Sequence, residues 1–250
     1  RVCMGRRCTY LPAHVVDGMI SVVIPAYNEE RALPATLRQL FEQAGSYEVI
    51  VVDGGSHDRT CEIVRRWPIN SRLPAPLTLV TAPKGRASQM NAGAKLARGE
   101  WLLFLHADTL LPVDALSRIN ALERNLTIQA GGFRHRFSGS DWRLRMISWL
   151  DNFRCVRSHI IYGDQALFVR RVLFERLGGF PDRPILEDVA FGENLLEVTT
   201  PLLLSPPVVT DARKFLKMGI WRSFLRVLLV ILHVEFKLPY LPRAFFQDIR

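Results

Sequence analysis

A carboxylate that closely follows an apolar run is the first candidate for chemistry in this sequence. Asp108 comes after the apolar residues 101–105, and His106 lies between them. Mg²⁺ and Mn²⁺ prefer oxygen ligands, so Asp108 could hold such an ion against a diphosphate, while His106 is a doubtful ligand. A strand-end Asp can instead cap a helix, and Pro112 could begin one. The pattern predicts a metal ligand, with capping as the alternative.

Asp53 is a second carboxylate at the end of an apolar run, and Gly54 and Gly55 follow it. Such an Asp can accept hydrogen bonds from a ribose or a base, while glycines let the backbone approach the ligand. The same residues also form simple turns. No GxGxxG pattern follows the first apolar run, which argues against a dinucleotide enzyme.

Glu187 and Asp188 are adjacent acids near the predicted start of a helix. One of them could deprotonate an acceptor hydroxyl. Acids in a first helical turn also interact favourably with the helix dipole, and that alone would explain them. Both interpretations remain open at this point.

Two further polar groups could contact a substrate. Asp164 and Gln165 follow Gly163 beside a predicted strand and could hydrogen-bond a sugar, and Arg213 and Lys214 could hold phosphates. Each group is a weak signal when taken alone.

The elements that must position these residues alternate between strand and helix in the first half of the chain. Short Val-, Ile- and Leu-rich runs predict buried strands, and one-sided apolar patterns predict helices between them. The predicted strands are 20–24, 48–53, 77–81 and 101–105, and the predicted helices are 32–43, 58–67 and 86–98. This order predicts an α/β fold with a mostly parallel, Rossmann-like sheet flanked by helices.

Such sheets bind ligands beyond the carboxyl ends of their strands. Polar or Gly-rich clusters follow each predicted strand, at residues 25–29, 53–56, 83–86 and 106–108. We therefore expect these four clusters to converge on one edge of the sheet.

The regular alternation stops after Asp108. Helical patterns at 113–125 and 141–153, strand-like runs at 131–137 and 166–169, and a turn at 177–181 follow. This half is expected to supply the acceptor side. The predicted organisation is an N-terminal extension (1–18), one domain (19–217) with halves at 19–110 and 111–217, and a C-terminal helical segment (218–250).

The charge balance is basic, with a formal net charge of +9. Residues 131–180 carry nine Arg against four acids, and residues 201–250 carry eight Lys or Arg against three acids. The basic residues are not clustered as a nucleic-acid reader would need, so no nucleic-acid partner is expected. The surplus fits an anionic ligand or surface, or simply a solvated basic face.

The four cysteines form no CxxC framework, so neither a zinc site nor a disulfide scaffold is predicted. A reducing, cytoplasmic setting fits this cysteine usage best. Nothing near the N-terminus has the apolar region of a signal peptide.

Residues 219–237 are predicted to form a basic amphipathic helix. Arg222, Arg226, His233 and Lys237 fall roughly along one stripe, and the longest unbroken apolar run, 227–232, is too short to span a bilayer. The helix could contact an anionic membrane peripherally. The alternative is a helix docked on the domain, because apolar stripes usually face a core.

Taken together, these motifs resemble the family 2 glycosyltransferases, which have the GT-A fold. The resemblance rests on SVVIPAYNEE (21–30), VVDGGSHD (51–58), Gly85-Arg86 with Asn91, and Glu187-Asp188. LFLHADT (103–109), YGDQ (162–165) and LGGF (177–180) more narrowly resemble the branch labelled arsenosugar-biosynthesis glycosyltransferases.

The resemblance implies a nucleotide-diphosphate-sugar donor, an unidentified acceptor and a Mn²⁺ or Mg²⁺ cofactor. It assigns the metal to Asp108, at the second Asp of the family's DxD motif, with His106 at the first, and the catalytic base to Asp188. The implied nucleotide-binding residues are Pro25, Tyr27, Glu29, Asp53, Arg86 and Asn91. The implied reaction is a single displacement with inversion, and without a QxxRW element a processive synthase is not expected.

Two other functions fit parts of the pattern. A nucleotidyltransferase also places carboxylates and metal after parallel strands, although residues 25–30 are acidic where a Gly-rich basic loop would be usual. A non-catalytic nucleotide-sugar-binding protein is the second alternative.

Overall fold

The computed structural model describes residues 16–67, 75–183 and 186–235. These residues form eight strands and nine helices. The strands are β1 (Val16–Ala26), β2 (Tyr47–Asp53), β3 (Leu77–Thr81), β4 (Gly99–Phe104), β5 (Thr109–Leu110), β6 (Ala130–Phe137), β7 (Phe168–Arg170) and β8 (Leu202–Thr210). The helices are α1 (Leu33–Leu40), α2 (Thr60–Arg65), α3 (Arg86–Leu96), α4 (Ala115–Asn120), α5 (Trp142–Ser158), α6 (Arg171–Arg176), α7 (Glu187–Leu196), α8 (Arg213–Met218) and α9 (Ile220–Glu235). A 3₁₀ turn covers Gly163–Gln165.

The strands form one sheet in the order β3-β2-β1-β4-β7-β6-β8-β5. β3, β2, β1 and β4 are parallel, as predicted for the first half. β7 runs antiparallel to both β4 and β6, β8 is parallel to β6, and β5 is antiparallel to β8. The sheet is therefore mixed, because the second half of the chain no longer connects each strand to the next through a single crossover helix.

The parallel strands β1, β2 and β4 are buried on both faces, which explains their apolar sequences, while β3 lies at the edge of the sheet and is partly exposed. Val22 and Ile24 of β1 point into the layer that contains the leucines of α1, while Val23 points into the opposite layer with α3. Gly93 lets α3 lie close to the sheet, since a Cβ there would lie 2.4 Å from Cγ1 of Val23. Close packing of α3 fixes the position of its first residue at the carboxyl edge of the strands.

Several element boundaries differ from the prediction. β1 begins at Val16, inside the predicted N-terminal extension, and α2 is shorter than expected. Asp58 precedes the N-cap Arg59, and its carboxylate accepts a 2.9 Å hydrogen bond from the N–H of Thr60. α4 begins only at Ala115 with Asp114 at its N-cap, so the interpretation of Asp108 as a helix cap is wrong.

The C-terminal segment docks on the domain through one face of α9. Ile220 packs in a small apolar cluster with Leu144 and Ile147 of α5, while Trp221 and Leu225 are exposed. No helix among the described residues is long and apolar enough to cross a membrane. The side chains of Arg226 and His233, and the whole of Lys237, lie outside the described structure.

Candidate active site

The loops after β1 and β2 are joined by reciprocal hydrogen bonds. The N–H of Asn28 donates to Oγ of Ser56, and the N–H of His57 donates to Oδ1 of Asn28, both at 2.9 Å. Asn28 has a φ of 54°, a left-handed conformation that Asn tolerates better than most residues. The two predicted ligand-binding clusters therefore form one continuous surface at the carboxyl edge.

Asp53 is buried, and its carboxylate organises this surface. It accepts hydrogen bonds from the N–H of Gly55 at 2.9 Å and from the N–H of Ser56 at 3.1 Å. Asp53 thus holds the turn that follows it. Contact between Asp53 and a nucleoside stays a prediction.

Two residues of the predicted nucleotide site lie at the end of β1. Pro25 is buried within β1, and Tyr27 is half-buried just beyond the strand. Nζ of Lys84, in the loop after β3, lies 3.9 Å from the centre of the Tyr27 ring. Lys84 thus packs its cation against the ring of Tyr27.

Glu29 and Arg213 meet although the sequence separates them widely. Nη2 of Arg213, at the start of α8, donates a 2.6 Å hydrogen bond to Oε2 of Glu29. Asp211 lies 3.4 Å from the same guanidinium. The structure thus connects one predicted nucleotide residue to one predicted phosphate residue. The side chain of the other, Lys214, is outside the described structure.

Asp188, Gly163 and His106 form a compact group between the two halves of the sheet. The N–H of Gly163 donates a 2.7 Å hydrogen bond to Oδ2 of Asp188, and Val189 donates to Oδ1 at 2.8 Å. A Cβ on Gly163 would lie only 2.8 Å from Nε2 of His106. The predicted base is thereby held beside the loop that carries Asp108.

Arg86 and Glu187 connect the nucleotide half (19–110) with the acceptor half (111–217). Nε of Arg86, the first residue of α3, lies 3.8 Å from Oε1 of Glu187, the buried first residue of α7. Glu187 and Asp188 both lie in the first turn of α7, so the helix-dipole interpretation and the base interpretation are compatible.

The amide of Asn91 is occupied by the backbone of Phe180. Its Nδ2 donates to the carbonyl of Phe180 at 2.8 Å, and its Oδ1 accepts from the N–H of Phe180 at 2.9 Å. Gly179 has a φ of 76°, and a Cβ there would lie 2.7 Å from Oδ1 of Asn91. Asn91 therefore fixes the predicted turn, and a direct contact with nucleotide stays a prediction.

Asp108 could hold a metal ion only if the substrate and water supplied the remaining ligands. Oγ1 of Thr36 donates to the carbonyl of Ala107 at 2.7 Å and thereby holds the turn that carries Asp108. Neither Asp108 nor His106 belongs to a group of three potential ligands within the described chain. One carboxylate completed by phosphate oxygens and water is the kind of environment that Mg²⁺ and Mn²⁺ accept.

The environment of Asp164 raises the pKa of its carboxyl group. Partial burial among neighbouring groups is the largest cause, although the side chain is still 34% exposed. The nearby carboxylates of Asp151 and Asp188 add to the shift, while His135 and Arg154 act in the opposite direction. Gln165 is fully buried, and its Oε1 accepts a 2.9 Å hydrogen bond from the N–H of Tyr162. Gln165 therefore shapes this turn from within.

The family model described as Glycosyl transferase family 2 matches residues 21–178. This stretch begins within β1, contains β2 to β7 and includes most of the post-strand loops. The chain belongs to glycosyl transferase family 2. The resemblance inferred from the motifs is thus confirmed at the level of the family.

Two relatives of this family 2 chain cover only part of it. A PGL/p-HBAD biosynthesis glycosyltransferase of Mycobacterium bovis is 39% identical over 107 residues, 41% of each chain. An undecaprenyl-phosphate 4-deoxy-4-formamido-L-arabinose transferase of Pseudomonas aeruginosa is 29% identical over 167 residues, 64% of this chain and 49% of the relative. The chain spans less than half the length of either relative.

Solved structures extend the similarity over nearly the whole family 2 chain. The mannosyltransferase PcManGT from Pyrobaculum calidifontis, in complex with GDP-Man and Mn²⁺, has a TM-score of 0.62 and 27% identity and covers 96% of this chain and 68% of its own. Residues 1–349 of S. aureus TarS in complex with UDP-GlcNAc have a TM-score of 0.61 and 18% identity, with coverage of 92% and 70%. The α/β fold of the GT-A type is confirmed.

One residue that supports the candidate nucleotide surface was not identified from the sequence. Gln89 is buried on α3, and its Nε2 donates to the carbonyl of Ala26 at 2.8 Å and to the carbonyl of Val52 at 2.7 Å. A polar residue on the buried side of a predicted helix was the available signal. Gln89 ties the ends of β1 and β2 together beneath the candidate nucleotide surface.

Proposed function

We propose that this family 2 chain is an inverting glycosyltransferase that moves a sugar from a nucleotide-diphosphate sugar to an acceptor hydroxyl. The main support is the position of Asp188, held by Gly163 beside His106 at the carboxyl edge of the sheet. Ligands of α/β sheets bind at this edge, and a general base needs to lie within reach of the acceptor there.

The nucleotide half would hold the donor. Pro25, Tyr27 and the loop built by Asp53 would contact the nucleoside, with Arg86 nearby. The guanidinium of Arg213 would face the diphosphate, where it can stabilise the charge as it departs. A phosphate contact by Lys214 stays a prediction. A Mn²⁺ or Mg²⁺ ion held by Asp108 would neutralise part of the same charge.

The acceptor half would supply the base. Asp188 removes the proton of the acceptor hydroxyl, whose oxygen forms a bond to the anomeric carbon of the donor. The bond between that carbon and the diphosphate oxygen breaks, and the nucleoside diphosphate leaves. One displacement inverts the anomeric configuration. Glu187 orients Arg86, and the turn of Gly163, Asp164 and Gln165 borders the sugar.

A peripheral membrane contact is part of the proposal. Trp142, Trp149 and Phe153 of α5 and Trp221 and Leu225 of α9 are each more than half exposed. The rings of Trp142 and Trp221 lie 6.4 Å apart, so the two exposed stripes form one continuous surface, hereafter the aromatic face. Trp side chains favour the interface between membrane and water.

Basic residues flank the aromatic face and would favour anionic lipid. Arg145, Arg157 and Arg222 are exposed beside it. The Pseudomonas relative is described as acting with undecaprenyl-phosphate. A lipid-linked acceptor would be presented at such a surface. A cytoplasmic location and the arsenosugar-branch resemblance stay predictions.

Product analysis tests the function directly. The protein is incubated with UDP-, GDP- and dTDP-sugars that stabilise it in a thermal-shift screen, with and without Mn²⁺. We expect release of nucleoside diphosphate and, with an acceptor, a product of opposite anomeric configuration by NMR. Release of pyrophosphate from a triphosphate would indicate a nucleotidyltransferase, and binding without turnover would indicate a non-catalytic sensor.

A further inference from the structure

A buried histidine with no hydrogen-bonded partner for its ring lies outside the donor site. His135 is on β6, and its side chain is 1% exposed. Within the described chain, neither Nδ1 nor Nε2 has a hydrogen-bond partner. A buried polar group normally has such a partner, so the ring requires an explanation.

Two carboxylates face the two nitrogens of this ring. Oδ2 of Asp151, on α5, lies 3.7 Å from Nδ1, and Oδ2 of Asp164, in the 3₁₀ turn, lies 3.7 Å from Nε2. An imidazolium paired directly with these acids would bring them to about 2.7–2.9 Å. The observed separations are longer than a hydrogen bond. Because one ion binds only one imidazole nitrogen, the relevant spacing is that of one nitrogen and one oxygen from each carboxylate, which all lie within 4.8 Å of one another, compared with about 3.4 Å between two ligands of one tetrahedral metal ion.

We propose that His135, Asp151 and Asp164 form a binding site for a divalent transition-metal ion, separate from the metal expected at Asp108. One potential ligand atom from each residue lies within 4.8 Å of the others. An imidazole with two carboxylates favours an ion such as Zn²⁺ over Mg²⁺, which prefers an all-oxygen shell.

The surrounding residues support this donor set. Asn152 holds the backbone of His135 from both sides: its Oδ1 accepts from the N–H at 2.9 Å, and its Nδ2 donates to the carbonyl at 2.7 Å. Nη2 of Arg154 binds Oδ1 of Asp151 at 2.8 Å, while Oδ2 of Asp151 has no hydrogen-bond partner in the described structure. The arrangement orients one oxygen toward the guanidinium and leaves the other for the ion.

Charge and access are also suitable. Once both acids are deprotonated by metal binding, two carboxylates and the guanidinium of Arg154 leave one net negative charge beside the imidazole, which a divalent cation would compensate. The guanidinium carbon of Arg154 lies 3.5 Å from the centre of the Tyr162 ring, which holds it to one side. The side chain of Asp164 is 34% exposed, so an ion can enter from solvent.

The ion would join three elements that follow one another in the chain. It would connect β6, α5 and the turn at Asp164, whose neighbour Gly163 donates to the carboxylate of Asp188. The site is therefore expected to stabilise the fold and to hold the turn that positions Asp188. The inference stands whether or not the chain transfers sugar, because it concerns metal binding without nucleotide.

Calorimetric titration of the chelator-treated full chain with Zn²⁺ alone tests the proposal. We expect one ion per chain and a higher melting temperature, and Asp164→Asn should weaken Zn²⁺ binding by about 100-fold or more. Asp182→Asn, a change at an exposed acid, and Asp108→Asn should leave Zn²⁺ affinity unchanged. No Zn²⁺ binding, an Asp164→Asn affinity equal to that of the wild type, or loss of binding in Asp108→Asn would each overturn the assignment.

A spectroscopic measurement adds a readout on the unmutated protein, and two variants then identify the histidine. Pulsed EPR of the unmutated protein with one equivalent of Cu²⁺ and ¹⁵N-labelled histidine should detect coupling to one imidazole. The coupling should persist in His106→Asn and vanish in His135→Gln. A spectrum without histidine coupling, or a coupling lost in His106→Asn and kept in His135→Gln, would contradict the site.

Discussion

The N–H of Gly163 donates a 2.7 Å hydrogen bond to Oδ2 of Asp188, a residue 25 positions away. This bond orients the proposed base from outside its own helix. Asp188→Asn removes the basicity and replaces one oxygen with an amide NH2, so one of the two backbone donors, Gly163 or Val189, loses its acceptor. We expect kcat to fall by about 10²-fold or more, with a melting temperature somewhat below that of the wild type. Asp182→Asn, at an exposed position, is the matched control, and full activity of Asp188→Asn would refute the assignment.

Gly163 is predicted to tolerate no side chain. A Cβ there would lie 2.8 Å from Nε2 of His106 and 3.3 Å from Oδ2 of Asp188. Gly163→Ala should therefore lower both the melting temperature and the activity. Adding His106→Ala should recover part of the lost stability, because it removes the closest atom. A double-mutant cycle measures this coupling, and strictly additive losses would show that the two residues do not clash.

Arg213 should contribute to donor binding beyond its pairing with Glu29. If its guanidinium faces the diphosphate, Arg213→Ala should raise the dissociation constant of the nucleoside diphosphate about 10-fold. Lys217→Ala, an exposed cation on the same helix, is the control and should bind normally. Equal nucleotide affinity of wild type and Arg213→Ala, measured by calorimetry, would restrict Arg213 to a structural ion pair.

The aromatic face predicts selective binding to anionic vesicles. Co-sedimentation with phosphatidylglycerol-containing vesicles should exceed that with pure phosphatidylcholine and should decrease with added salt. Trp149→Ala with Phe153→Ala should reduce the bound fraction severalfold, because both side chains are exposed on α5. Val113→Ala, at an exposed apolar residue outside this face, is the control. Equal sedimentation of all variants would refute the membrane contact.

Tyr47 predicts a particular pH dependence of stability. Burial raises the pKa of its phenol from 10.0 to about 12, and its hydroxyl donates a 3.0 Å hydrogen bond to the carbonyl of Leu40. Tyr47→Phe should be less stable by about 1 kcal/mol at pH 8, through loss of that bond. As the pH rises from 10 to 12, the unfolded phenol ionises first, which destabilises the wild type and narrows the difference. Urea unfolding across this range checks the trend, and a constant or growing difference would contradict it.

The parallel part of the sheet could be predicted because β1, β2 and β4 are buried on both faces and β3, at the edge, is a short run of Leu, Val and Thr. Residues 77–81 were expected as a strand, and β3 has those bounds. β8 could not be predicted, because Pro206 and Pro207 interrupt its apolar pattern and typically indicate an edge strand or a turn. The strands were therefore recognised from short apolar stretches of sequence, and β8 was missed because prolines interrupt its stretch.

The candidate site was predictable in its loops and less so in its side-chain partners. The clusters after β1 and β2 meet as the topology requires. The partner of Asn91 is the backbone of Phe180, 89 residues away, and no local pattern indicates that pairing. No local pattern indicates the proximity of His135 and Asp164 either, because one residue lies on a strand and the other in a turn.

The single amide of Gln89, bound to the ends of β1 and β2, has a thermodynamic consequence. Because its nitrogen donates to the carbonyls of Ala26 and Val52, the two loops that follow share one rigid base before any ligand arrives. A preorganised loop pair loses little conformational entropy when it is occupied. Nucleotide recognition in this protein should therefore approach lock-and-key behaviour, with association rates that do not depend on a slow rearrangement.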